Sequence, residues 1–344
     1  MVITVDMKGS EEYQNFIYQI FKIISAQHPK NSFLFIFDKP YNHFVLSENI
    51  IPVIVPKKNI SFLSKFRSNY KISCLFKKYQ ADVFLTNDIL LRTKVRQCLI
   101  GLDRFSARSL KKAHSIITTS EFSKAQIIEK YKHDANRIDV VYNTADENLK
   151  PIELEDREYI KRKYSDGNEY FLFLVENYSK TTFLNLLKAF SVFKKLQKSN
   201  MYLLGTSKKK MAKEIYEMVH LYKFKTEVML LENISKKESA GLTGAAYAFV
   251  YPFISKGYLP VLEAMKCNVP VIAAANEEII EICGDAALYF NNNDNKDISD
   301  KMMLIYKDEN LRERLIEKGK DQVKKYGWDK AAAGLWQSIE KAVN

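Results

Sequence analysis

No stretch of the chain reaches about 18 consecutive apolar residues, so the sequence encodes no membrane-spanning helix. The opening MVITVDMKGSEE has neither the basic flank nor the long apolar centre of a secretion signal and reads as a first strand. Cysteines are few. Cys74, Cys98, Cys267 and Cys283 lack the close paired spacing of metal ligands, and each lies in an apolar segment. The expectation is buried thiols in a reducing cytoplasm. None of the five histidines, His28, His43, His114, His133 and His220, has a recognisable catalytic context. No internal repeat, low-complexity tract or nucleic-acid-binding module is present.

What is there describes a globular chain. The 344 residues are 47% hydrophobic and 27% charged, enough for two domains with a core each. Lysine and arginine outnumber the acids 53 to 41, a net charge of +12. The lysines fall in clusters at 57–58, 111–112, 194–195, 208–210 and 236–237. Two readings stand: a solvated basic surface, or attraction to an anionic membrane leaflet that carries lipid-linked acceptors.

Apolar runs alternate with helical patterns. Strands are expected at 2–7, 32–38, 49–56, 81–86, 115–120 and 137–143, with helices over 11–27 and 61–79 and a helix capped by Ser120. Residues 145–168 turn charged and read as a link. A second series follows, with strands at 169–176, 201–205, 227–232, 247–252, 269–274 and 287–290 and an amphipathic helix over 182–196. The closing helix, 328–344, is expected to return to the first domain. The fold class is α/β: two Rossmann-like, doubly wound parallel sheets, 1–150 completed by 328–344, and 165–327.

The most informative stretch is 250–290, VYPFISKGYLPVLEAMKCNVPVIAAANEEIIEICGDAALYF. The run VPVIAA suits a parallel strand buried on both faces. Before it, Pro260 opens a helix, Glu263 is expected in that helix's first turn, and Asn268 is placed to close it in the left-handed conformation. A loop that ends at a helix N-terminus presents free N–H groups, a seat for a diphosphate.

This stretch resembles the donor-site motif of retaining, family-four (group 1) glycosyltransferases of the GT-B fold. The usual pattern there has two glutamates eight positions apart. Here Glu263 is the second, and Ser255 stands where the first is expected. The likeness continues through TTSEFSKAQIIEKY, NEYFLFLVENYSKTTFLNLLKAF, LLENISKKESAGLTGAAYAFVYP and KKYGWDKAAAGL, and is looser over residues 1–100. It implies an enzyme that moves a sugar from a nucleotide donor to a glycan or lipid-linked acceptor in polysaccharide or cell-surface glycan assembly, with retention and without a cofactor or metal. The cytoplasm, or the inner face of the membrane, is the implied location.

By the same resemblance Glu263 accepts hydrogen bonds from the donor ribose, and Gly257, Tyr258 and Leu259 present backbone N–H groups to diphosphate or sugar. Ile234 and Gly205 complete the donor side, while Gly9 and Asp103 fall on the acceptor side. The family's arginine and lysine after the first strand of this domain are replaced by Glu176 and Thr181. Only Lys180, beside the second position, keeps a cation there. Loss of one such donor typically costs on the order of 10²–10³ in rate. Lys256, next to Ser255, is the candidate substitute, with Lys208 as another. The alternative is an inactive homologue that serves as partner or scaffold of an active glycosyltransferase.

Overall fold

The computed structural model describes every residue except 42–43, 57–61, 88–90, 102–105, 176–178, 253–256 and 344. The chain divides into two compact units, residues 1–144 with 326–344, and residues 145–325. Among the described residues no helix is long and apolar enough to cross a membrane.

The first unit runs β1 (Val2–Asp6), α1 (Glu11–Gln27), β2 (Ser32–Phe37), β3 (Ile50–Ile54), α2 (Phe62–Tyr79), β4 (Val83–Thr86), β5 (Arg96–Ile100), α3 (Ala107–Lys112), β6 (Ser115–Thr118), α4 (Glu121–Tyr131) and β7 (Ile138–Val140). Its strands lie in the order β3-β2-β1-β4-β5-β6-β7, every pairing parallel. Pro52 sits in β3, an edge strand, where a missing N–H costs least.

The sequence pattern gave no strand at 96–100. β5 opens with Arg96 and Gln97, which masks its apolar character. Gln97 is nevertheless buried, because its amide bonds both the N–H and the carbonyl of Leu91 at 2.8 Å. A fully paired amide is tolerated in a core, where an unpaired one is not.

The second unit contains α5 (Leu154–Ser165), β8 (Tyr170–Leu174), α6 (Lys180–Gln197), β9 (Tyr202–Thr206), α7 (Lys213–His220), β10 (Val228–Leu231), α8 (Lys236–Ala245), β11 (Ala248–Tyr251), α9 (Leu259–Lys266), β12 (Val271–Ala274), α10 (Glu277–Cys283), β13 (Ala287–Phe290), α11 (Asn295–Lys307) and α12 (Glu309–Val323). Its order is β10-β9-β8-β11-β12-β13, again all parallel. The charged stretch read as a link carries α5, which packs on α8 of this unit. Its charges are used locally. Lys161 is buried and its ammonium reaches Glu169 at 3.0 Å.

The basic surface reading needs a similar correction at Lys194. This lysine is buried on α6, where it bonds the Ser199 and Met201 carbonyls and lies 3.6 Å from Glu227. Among the cysteines, Cys98, Cys267 and Cys283 are buried, and burial pushes each thiol up to about 12. Cys74, on α2, is exposed, contrary to the expectation from its apolar neighbours.

The last helix, α13 (Trp328–Val343), belongs to the first unit. Trp328, Ala332, Leu335 and Ile339 join the core formed by α1, β1 and β2. The Trp336 ring stacks on His28 at 3.7 Å, and Arg96 donates to the Ala342 carbonyl at 2.8 Å. Replacing Leu335 by Ala is expected to destabilise this unit by about 2–5 kcal/mol, the usual cost of such a truncation in a core. The shift in its urea midpoint measures it.

Gly205 lies within β9, opposite Phe173 of β8 and Leu230 of β10. A Cβ there would stand 2.5 Å from Phe173 Cζ and 2.8 Å from Val175 Cγ2. Its place is a packing position inside the sheet. Gly205→Ala is expected to lower stability by about 1–3 kcal/mol through overpacking, read as a lower melting temperature.

Candidate donor site

Open parallel sheets bind ligands outside the C-terminal ends of the strands, where the strand order reverses direction. In the second unit that point lies between β8 and β11. The connection after β8 leads into α6, and the connection after β11 leads into α9. Ser179 caps α6 by accepting the Thr182 N–H at 3.1 Å, so the helix begins right after the sheet. Sequence reading missed this serine as a site element. The Ser-x-x-Thr spacing before an apolar helix was the available signal.

α9 carries the other half. Its first residue is Leu259, with Pro260 next, where the absent N–H is harmless. Tyr258 is buried at the cap, and its carbonyl accepts from the N–H groups of Val261 at 3.1 Å and Leu262 at 3.4 Å. Gly257 has φ +74°, a conformation that disfavours any residue with a Cβ. The hydroxyl of buried Tyr251, the last residue of β11, donates to the Gly257 carbonyl at 2.8 Å. Among the described residues, the Gly257 and Leu259 N–H groups have no acceptor.

The end of α9 follows the sequence reading. Asn268 has φ +59°, and its N–H bonds the Met265 carbonyl while that of Val269 bonds the Ala264 carbonyl, both at 3.0 Å. These paired bonds form a Schellman closure. Glu263 departs from its expected place. The helix begins late enough that Glu263 lies in the second turn, and no acidic residue occupies the first. Dipole stabilisation falls off after the first turn, so it does not account for this carboxylate. Glu263 is half-buried on the helix that leaves the switch point.

Ser255, Lys256, Glu176 and Asp103 lie outside the described residues. Lys180 and Thr181 are the first two residues of α6, both exposed. Lys208, just past β9, is also exposed. Ile234 follows β10, and its N–H is already given to the Ser207 carbonyl at 3.2 Å. The loops after β9 and β10 are tied further by Glu232, which accepts from the Met211 N–H at 2.9 Å and from the Tyr216 hydroxyl at 2.8 Å. The Met211 N–H first, and then the Tyr216 hydroxyl, hold the Glu232 carboxyl below the usual carboxylate range.

In the first unit the order reverses between β1 and β4. Gly9 occupies the turn after β1, where a Cβ would stand 2.5 Å from Asn87 Nδ2 and 2.9 Å from Tyr13 Cδ1. Glycine lets this turn lie against the residue that follows β4. Asp6 accepts from the Lys8 N–H at 3.2 Å and from the Thr86 hydroxyl at 3.3 Å, which joins the same two strand ends. Beneath them Tyr13 is buried, and burial first, then the Asp6 charge, raises its pKa.

A cavity of about 510 Å³ opens elsewhere in the second unit, lined by Gly244, Ala246, Cys267 and Asn268 together with Arg157 and Arg312. Gly244 and Ala246 precede β11, and Cys267 and Asn268 precede β12, at the opposite end of these strands from the switch point. Glu313 and Glu317 also line it, so its charges balance and offer a diphosphate no net attraction.

Residues 155–322 match the family model described as glycosyl transferases group 1. The O-antigen chain mannosyltransferase B of Escherichia coli is 26% identical over 224 residues, 64% of this chain and 59% of that protein. The O-antigen chain mannosyltransferase RfbU of Salmonella typhimurium is 28% identical over 189 residues, 55% of this chain and 50% of that one. The chain thus spans between half and three fifths of the length of these curated relatives. A glycosyltransferase from Rickettsia africae superposes with a TM-score of 0.80 over 100% of this chain and 98% of that one, at 14% identity, a likeness of fold. With its two parallel-sheet units and its returning last helix, the chain has the GT-B fold, and its residues 155–322 match the model of the glycosyl transferases group 1.

Proposed function

We propose that this protein transfers a hexosyl group from a nucleoside-diphosphate sugar to a growing cell-surface glycan. The names of the two O-antigen relatives point to mannose as the sugar. The family match over the unit whose β8–β11 switch point carries the Glu263 helix is the observation that supports this most. In the reaction the bond between the sugar's anomeric carbon and the phosphate oxygen breaks, and the nucleoside diphosphate leaves with the electron pair. An acceptor hydroxyl oxygen bonds to the anomeric carbon and gives up its proton. By resemblance to the family, the configuration is retained.

In this reading Glu263 takes two ribose hydroxyls, a task suited to an acceptor-only carboxylate. The N–H groups at the start of α9 face the diphosphate, and the charge that builds on the leaving group is met by Lys180 and Lys256. Because the Ile234 N–H is committed to Ser207, a base at that position meets the Ile234 carbonyl. By resemblance to the family, the reading gives Ser255 to the sugar and Gly9 and Asp103 to the acceptor. The reading assigns no metal, since backbone donors and lysines hold the diphosphate. Its setting is the cytoplasm, with a lipid-linked acceptor at the inner membrane face.

Titration calorimetry against UDP, GDP, ADP and their sugar conjugates tests the donor site. One nucleotide is expected to bind, and Glu263→Ala is expected to weaken it about tenfold or more, the scale of lost hydrogen bonds to a charged group. No binding anywhere in the panel would overturn the reading and direct attention to a protein partner. Lys256→Ala is expected to weaken the same nucleotide, and unchanged affinity would remove Lys256 from the site.

A further inference from the structure

The Tyr251 hydroxyl has no explanation in the packing of the core. Its ring lies beside that of Phe249 at 5.9 Å, two residues earlier on β11, where phenylalanine fills the same face without a hydroxyl. Tyr251 is 1% exposed, yet its oxygen reaches past the end of the strand to the Gly257 carbonyl. The bond pins the point where the chain turns into α9, and Gly257 itself sits at φ +74° with no heavy atom of the described residues within 4 Å of a would-be Cβ. Among the described residues, no neighbouring side chain clamps this glycine.

What the tether fixes follows from the peptide plane. The Gly257 carbonyl and the Tyr258 N–H belong to one trans peptide unit and point in opposite directions. Holding the carbonyl on a buried hydroxyl turns that N–H away from the core. The Leu259 N–H follows at the first helical position, where it has no partner of its own among the described residues. Donors set in advance toward an anion avoid the cost of reorganising when it arrives.

We propose that Tyr251 is a positioning residue whose hydroxyl, through the Gly257 peptide, aims the N–H groups at the start of α9 at the diphosphate of the donor. The proposal rests on the donor-site reading above. It assigns the tyrosine to the phosphates and not to the base, ribose or general stability.

The test compares wild type and Tyr251→Phe for two probes: the nucleoside diphosphate that wild type binds, and its nucleoside measured by competition. Tyr251→Phe is expected to bind the diphosphate about tenfold more weakly, the effect of one well-placed hydrogen bond, with the nucleoside unchanged. Equal losses for both probes would mark a merely structural hydroxyl, and no loss for either would mark an idle one. Each result overturns the proposal. If wild type binds none of the diphosphates, the donor-site reading itself has failed, a result visible before any variant is made. Should Tyr251→Phe not fold by circular dichroism, Gly257→Ala strains the same peptide with the hydroxyl intact. The same selective loss is expected from it, and an unselective one counts against the proposal.

Discussion

The parallel pairing of β8 with β11 is the constraint on which the second unit depends. β9 and β10 extend the sheet to one side of this pair, and β12 and β13 extend it to the other. The chain therefore leaves the two central strands toward opposite faces and opens a crevice at their C-terminal ends. α6 begins from one strand and α9 from the other, so two sets of helix-start N–H groups arise from adjacent strand ends. The features that make the unit suited to an anionic ligand follow from that pairing. The first unit repeats the device between β1 and β4, where Gly9, Asp6 and Thr86 join the two strand ends.

Charge is used in two ways. Some of the lysines that make the chain basic are internal ties: Lys161 between two glutamates, and Lys194 against two carbonyls and Glu227. Each is tolerated because its ammonium is paired and hydrogen-bonded at once, which offsets desolvation. Lys180 and Lys208 are exposed near strand ends instead. The net charge alone does not separate these groups.

Part of the candidate site is legible in local sequence. The GYLPVLEA segment shows a glycine before a proline-opened helix, and Asn268 shows its end. Both depend only on backbone preferences of nearby residues. The place of Glu263 within the helix was misjudged by a turn's worth of dipole, because Pro260 entered as the second helical residue and Glu263 fell beyond the first turn. Gly205 was placed on the donor side by resemblance, at the end of an expected strand 201–205. It lies inside the strand, and Phe173 and Leu230 on the neighbouring strands take the space. Tyr251 gave no signal, since its bond to Gly257 joins a strand end to a helix start, a meeting that no local pattern records.

The sequence by itself determined the alternation of strands and helices, the parallel two-sheet class and the helix that carries Glu263. Hydrophobic period, capping residues and glycine or proline preferences act over a few residues, and they survive in a string of letters. Tertiary structure alone decided the strand order and hence both switch points. It also decided the burial of Gln97, Lys161 and Lys194, and the tether from Tyr251. Those outcomes depend on which residues far apart in the chain meet. A polar group can enter a core only where the fold supplies its partner, and no local pattern records that partner.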